Sequence, residues 1–367
     1  MKTILVKLIV FVFLASNFLF ASAQNSIQQN GIEWISEGTI TQETYKGETC
    51  IKINEGEIMS KSLEFKNGII EFDMCIQQGR GFAGVHFRDD NSGNTEEFYV
   101  RKHQSGNPDA MQYTPVYNNN AGWQLYYGDG YGAVKEYVFD EWFHVKLAVS
   151  GTRGEVYISD METPVLVIHE LKMGERSGKV GFYGPARFAN IKITGLDSPE
   201  LKGQFKTISK AGDDVIQSYP VSGVFNAELL INESLLPANF QKKLTFKNYS
   251  TEADGLLNIS KTGALSDSKN AVLLKITINS ESNVVKRMDF GFSDIAKIFV
   301  NGKAVWLGND VYRSRDYRFL GTIGYFDSVY LDLQNGKNEV LVMVAENFGG
   351  WGFKAHFENM NGIELVQ

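Results

Sequence analysis

The sequence predicts an all-β protein of two β-sandwiches in tandem. Short runs of alternating apolar and polar residues recur along the chain with turns between them, and no helical period separates them. Aromatic residues make up 13% of the 367 residues, with 36 Gly against 7 Pro, a composition suited to strands and tight turns. A polar stretch without periodicity, residues 196–213, divides two β-rich halves. The chain is also longer than one ordinary core requires.

The N-terminus reads as an export signal over residues 1–23. Lys2 and Lys7 flank the apolar run Leu8–Ala15, and Ala21-Ser22-Ala23 supplies a small-x-small cleavage pattern before Gln24. Ser16-Asn17 interrupts the run, which falls short of the roughly 20 apolar residues a membrane span needs. No Cys stands at the cleavage point to take a lipid, and no later segment is long and apolar enough to span a bilayer. The expected location is secreted, periplasmic or cell-surface. Losing Lys2 and Lys7 takes the net charge from −7 to −9. An acidic exported chain is a poor nucleic-acid partner, since that role calls for a basic face.

The first half, residues 31–195, opens loosely and then gives strands at 49–53, 57–65, 68–77, 81–88, 98–103, 123–126 and 142–150. Further strands follow at 155–159, 165–171, 179–186 and 189–194. Cys50 and Cys75 fall on two of them, both facing away from the core side. Export permits a disulfide between them, and two separate thiols fit the sequence equally well.

The order GIIEFDM, GFAGVHFRDD, EEFYVRKHQ, EWFHVKLAVSG and GKVGFYGPARFANIKI resembles the concanavalin A-like lectin/glucanase sandwiches. More narrowly, it resembles their laminin-G-like and 3-keto-disaccharide-hydrolase-like branch. That resemblance implies a sandwich over about 31–194 and a sugar ligand, because the fold hosts lectins, adhesins and hydrolases. Glucanases of this class carry E-x-D-x-x-E, two of whose carboxylates act as nucleophile and acid/base. This chain has Glu71 and Asp73, but Ile76 holds the third acid position, so the double-carboxylate mechanism is not carried over.

The second half, residues 214–367, gives strands at 244–248, 271–278, 285–292, 297–300, 330–333, 339–346 and 352–358. Asn301-Gly302 and Asn335-Gly336 read as type I′ turns. IAKIFVNGKAVW and YLDLQNGKNEVLVMVAENFGGWGF resemble galactose-binding-like jelly rolls, accessory domains of many glycosidases. Loops such as the one bearing Trp306, Tyr312, Arg313, Arg315, Asp316, Tyr317 and Arg318 would carry a ligand site there, while Trp351 reads as core.

The segment 98–128 concentrates the chemistry. Alternation sets Tyr99, Arg101 and His103 on one side of a strand, with His86 and Arg88 of matching parity on the strand before it. Glu97, Asp109, Gln112, Gln124, Tyr113, Trp123 and Tyr126 complete a rim of cations, amides and flat rings. Sugar hydroxyls take planar hydrogen-bonding groups, and the apolar face of a pyranose packs on an aromatic ring. Carbohydrate is therefore the expected partner. The resemblance also implies an alternative, a hydrolase with His103 as base and Arg101 or Arg88 steadying developing charge, assisted by Glu97. A third reading is a structural or adhesive protein whose aromatics only fill cores. No cofactor is called for. The acid-rich turn with Asp89, Asp90 and Asn94 is the one place where a structural calcium could sit.

Overall fold

A computed structural model describes residues 25–316 and 318–366; residues 1–23, read above as a signal, lie outside them. All of its regular structure apart from short 3-10 turns is β, as the sequence predicts.

The first sandwich contains β1 (Asn25–Gln29), β2 (Ile32–Tyr45), β3 (Glu48–Phe65), β4 (Gly68–Cys75), β5 (Phe82–Asp89), β6 (Thr95–Arg101) and β7 (Met111–Tyr117). It continues through β8 (Asn120–Ala121), β9 (Gly132–Ala133), β10 (Trp142–Ser150), β11 (Arg153–Ile158), β12 (Leu166–Ile168), β13 (Gly178–Tyr183) and β14 (Ala186–Gly195). These strands form one continuous hydrogen-bonded sheet that folds over itself, in the order β12-β11-β10-β4-β14-β3-β13-β5-β6-β7-β8. The fold line crosses β3. Its residues Cys50–Ile53 pair with β14, and its residues Glu57–Phe65 pair with β13. At the crossing Gly38 and Gly56 face each other with φ of +101° and +91°, and a side chain on either would strike the opposing carbonyl. The loose start seen in the sequence is in fact the β1–β2 pair, which continues this turn-over along β3.

We call β12-β11-β10-β4-β14 the back layer and β13-β5-β6-β7 the front layer. Their inner faces share one core, seen where Phe72 of β4 meets Phe182 of β13 edge-on at 5.0 Å. Such burial stabilises by roughly 1.5–3 kcal/mol per large apolar side chain.

The second sandwich contains β15 (Ser218–Ser222), β16 (Phe246–Ser250), β17 (Leu257–Asn258), β18 (Ala271–Ser280), β19 (Val284–Ser293) and β20 (Ile295–Val300). The rest are β21 (Lys303–Asn309), β22 (Asp327–Leu333), β23 (Gly336–Ala345), β24 (Gly352–Phe357) and β25 (Ile363–Val366). One sheet runs β16-β15-β18-β23-β20-β21 with β25 beside β18, and the other runs β17-β24-β19-β22. Trp351 lies fully buried between them, its indole N–H donating to the Val344 carbonyl. The Asn301-Gly302 turn has both residues at positive φ, as a type I′ hairpin requires. Asn335-Gly336 differs. Only Gly336 has positive φ, and the turn joins β22 and β23, which belong to opposite sheets, so it is an arch and not a hairpin.

The two sandwiches are bonded together. Leu125 and Tyr126 pack on Leu256 and Ile323. The Tyr126 hydroxyl donates to Glu252 at 2.5 Å, and Lys172 and Lys261 each lie 2.9 Å from that carboxylate. Burial resists the Glu252 charge, but Lys261 and Lys172 hold its pKa below the ordinary carboxylate value.

Cys50 and Cys75 are free and fully buried. They lie on the outer side of the back layer, as their alternation predicts, but β14 runs between their strands. The disulfide option is thus not realised. Burial raises both thiol pKa values.

Candidate functional site

The outer face of the front layer forms the floor of a cavity of about 320 Å³, within the size range of ligand pockets. Register decides who is on that floor. Phe82, Gly84 and His86 of β5 stand opposite Arg101, Tyr99 and Glu97 of β6, and Gly84 stands opposite Tyr183 of β13. A side chain at Gly84 would collide with Tyr99, so the glycine leaves the floor free for the two tyrosine rings beside it.

Arg101 is the centre of the floor. Its guanidinium donates to the Tyr99 hydroxyl at 3.1 Å, to the Gln112 side-chain oxygen, and to the Asp109 carbonyl at 3.2 Å, with the Asp109 carboxylate at 3.4 Å. It also sits 5.3 Å from the Tyr99 ring centre and 5.4 Å from that of Trp123, within cation–π range. Gln112 accepts from Tyr99 and Arg101 and donates to the carbonyls of Trp123 and Tyr126. The amide therefore ties the floor to the turn that bears Trp123. That turn was expected to be a strand at 123–126. Leu125 and Tyr126 instead donate back to the Gly122 carbonyl, and the segment bonds to the second sandwich.

A second cluster lies beside it. His86 has Glu57 3.4 Å from Nδ1 and Glu97 3.8 Å from Nε2, and its ring centre is 4.8 Å from that of Tyr183. The Tyr183 hydroxyl donates to Glu97. Burial disfavours the charged imidazole, yet Glu97 and then Glu57 hold its proton, and the His86 pKa is raised. Burial raises Glu57 in turn.

Two walls rise from this floor. On one side Phe82 meets Tyr99 edge-on at 5.8 Å and His103 at 5.4 Å. His103, expected on the strand, instead lies in the 3-10 turn Lys102–Gln104 after β6 ends at Arg101. It still lines the cavity, its pKa lowered by burial and by Arg80 and Arg101 nearby. At the far side Trp123, Tyr312 and Phe348 form a corner of three mutually edge-on rings, 5.9 to 6.4 Å apart. Two of those three rings belong to the second sandwich, and Leu320 joins them.

That far wall is firmly held. Gln124 is fully buried, receives Ile323 N–H on its carbonyl, and donates to Gly349 and Leu320 carbonyls at 2.9 and 2.8 Å. Asp294 accepts the N–H groups of Asn347 and Phe348 at 2.7 and 2.6 Å. Burial pushes Asp294 up to about 6 and its neighbour Asp310 up to about 7.

Several sequence candidates are elsewhere. Arg88 is fully buried, its guanidinium donating to the carbonyls of Lys66, Gly151 and Gly174 and to the Asn67 side chain. A bulge in β5 between His86 and Asp89 reverses the alternation, and Arg88 at φ +55° turns inward, so its predicted place beside Arg101 fails. Tyr113 faces the core with its hydroxyl on Glu96, and Gln124 and Tyr126 serve the junction between sandwiches, as above. Trp306 packs inside the second sandwich against Phe290 at 4.8 Å, and Arg315 pairs with Asp310 and Asp327.

In the acid-rich turn, Asp89 accepts from Asn91 N–H, and Asp90 takes the Ser92 and Asn94 donors. Burial opposes the Asp90 charge, yet those donors together outweigh it and hold the pKa down at about 2. Asp89, Asp90 and Asn94 thus close their own turn, and among the described residues no group of three or more His, Cys, Asp or Glu is placed to hold a metal ion. No helix among them is long and apolar enough to cross a membrane.

Phe82, Tyr183, Leu320 and Phe348 were not foreseen as site residues. The one readable signal is Phe348 set between Asn347 and Gly349-Gly350, a ring on a turn and not on a strand.

No protein-family model matches the sequence, and no curated protein does. Solved structures give partial likenesses. A carbohydrate binding module, CBM66, from Bacillus subtilis is 21% identical, covering 43% of this chain and 92% of its own at a TM-score of 0.34. A galectin from Caenorhabditis elegans is 8% identical (39% and 94%, TM-score 0.27), and a β-glucanase from Bacillus licheniformis is 13% identical (46% and 71%, TM-score 0.26). At these scores the likenesses carry no argument, and the fold rests on the strand pairing itself.

Proposed function

We propose that this is an exported carbohydrate-binding protein that holds a sugar in the cavity between its two sandwiches. The observation that carries the reading is the cavity lining. Six aromatic rings surround Arg101, Glu97 and Asp109 in a space of about 320 Å³. Rings supply faces for the apolar side of a pyranose, and fixed charged and amide groups read its hydroxyls. Arg101 is itself locked by Gln112, Tyr99 and Asp109, so little ordering cost remains for a ligand.

The test is Trp123→Ala, with binding followed on a glycan array and by titration calorimetry. Affinity should fall about 100-fold, as for removal of a central aromatic anchor. Unchanged glycan binding would sink the reading. Export is supported by the Lys2–Ala23 pattern. Intact mass of the protein recovered outside the cytoplasm should place its first residue at Gln24, and retention of Met1 would count against it.

An enzymatic second reading is favoured by one feature, the Glu57–His86–Glu97–Tyr183 cluster with Glu97 and Tyr183 lining the cavity. In that reading Glu97, not His103, handles the proton, and Arg88 takes no part. Turnover of a 3-keto glucoside abolished by Glu97→Gln would select it.

A further inference from the structure

The cavity is closed along one side by a wall that its own sandwich supplies only in part. A protein that grips the interior of a polysaccharide needs a groove open at both ends, because the chain must enter and leave. Here the path across the front layer passes Tyr183, Tyr99 and Arg101 and then meets the Trp123–Tyr312–Phe348 corner.

That corner is fixed at several points. Gln124 bonds to Gly349, Leu320 and Ile323, the Tyr127 hydroxyl donates to the Ile323 carbonyl at 2.6 Å, and the Phe348 loop is pinned by Asp294. The turn that carries His103, Gln104 and Asp109 lines the cavity as well. At about 320 Å³ the cavity lies at the small end of the range of ligand pockets, which suits a short ligand.

From this wall, and resting on the carbohydrate reading above, we infer that the ligand is the end of a glycan chain, one or two units deep. The second sandwich sets that limit. It acts as the stop of the first sandwich's pocket and not as a separate sugar module. Its exposed Phe348 ring, 56% accessible, and the Tyr312 ring meet the terminal unit.

The experiment counts sites. Laminarin, xylan, galactomannan and pectin, each intact and after partial hydrolysis, are titrated calorimetrically into the full mature protein. For any polymer that binds, the number of sites per gram should rise in proportion to the number of chain ends. A constant number of sites per gram means internal recognition and overturns the inference while leaving carbohydrate binding intact. Absence of binding to every intact and hydrolysed polymer overturns both.

The pair Tyr312→Ser and Phe348→Ser then tests the wall. Both rings line the cavity and neither belongs to a hydrophobic core, and a thermal melt of each variant checks that the fold is kept. Loss of the dependence on chain ends, or loss of binding, supports the stop. An unaltered dependence shows that the second sandwich does not set the limit.

Discussion

The two outer faces of the first sandwich carry nearly the same chemistry, and the front one forms the floor of a cavity. On the front layer His86 lies between Glu57 and Glu97, at 3.4 and 3.8 Å. On the back layer His144 lies between Asp73 and Glu71, at 2.7 and 3.8 Å. Each face also has an arginine over a tyrosine ring, Arg101 over Tyr99 and Arg187 over Tyr45. The difference is what stands beside the cluster. Glu97 and Tyr183 of the front cluster line a cavity walled also by His103, Trp123, Tyr312 and Phe348, whereas the back cluster meets solvent, with the His144 side chain 37% exposed. Side-chain chemistry on a strand therefore does not by itself make a site. Enclosure does, because it removes competing water and presents several surfaces to one ligand.

The sharpest way to break this comparison is to remove the two arginines separately. Arg101→Ala takes away the donor shared by Tyr99, Gln112 and Asp109 and leaves Asp109 without its cation. Sugar affinity should fall at least about 100-fold, the scale of a lost charged hydrogen-bond set. Arg101→Lys should recover little, since an ammonium cannot hold three partners in the guanidinium plane. Arg187→Ala breaks a comparable ion pair with Glu43 at 2.6 Å and exposes the buried Cys50 and Cys75. It should lower the melting temperature and leave affinity unchanged. Calorimetric titration beside thermal melts separates the two outcomes, and equal losses of affinity would erase the distinction between the faces.

The sequence makes part of this contrast readable. Period-two alternation places Tyr99 and Arg101 together and aligns His86 with them, because β5 and β6 pair without interruption over those residues. The same rule fails at Arg88, where one extra residue in β5 reverses the faces, and at His103, where the strand has already ended. Neither event leaves a mark in residue type. Glu71 and Asp73 alternate with the core residues Ile70, Phe72 and Met74, but their pairing with His144 needs the register of β4 with β10. Tyr183 ends a strand that reads as core, GKVGFY, and its outward turn follows from register alone. The far wall was least legible. Tyr312 appeared only as part of a separate second site, and nothing local says that its loop reaches across to Trp123.

A smaller effect distinguishes the two histidines. The raised pKa of His86 means the folded protein binds its proton more tightly than the unfolded chain does. Its stabilising contribution is then fully present below the unfolded value of about 6.5 and is lost as pH rises through the folded value. The groups facing the ring are Glu57, Glu97, Asp89 and Tyr183, and the carboxylates favour its charged form. His86→Gln should therefore melt below the unmodified protein at pH 5.5 and converge with it toward pH 8.5. The variant should also bind sugar about 5- to 10-fold more weakly at pH 5.5, because Glu97 loses a neighbour that helps fix it in the cavity floor. His144→Gln, on the open face, should leave affinity unchanged at both pH values. Melts of His86→Gln displaced equally at the two pH values would show that the ring's packing on Tyr183 matters and its charge does not. A fall in sugar affinity with His144→Gln would mean that the back layer, open to solvent as it is, takes part in binding.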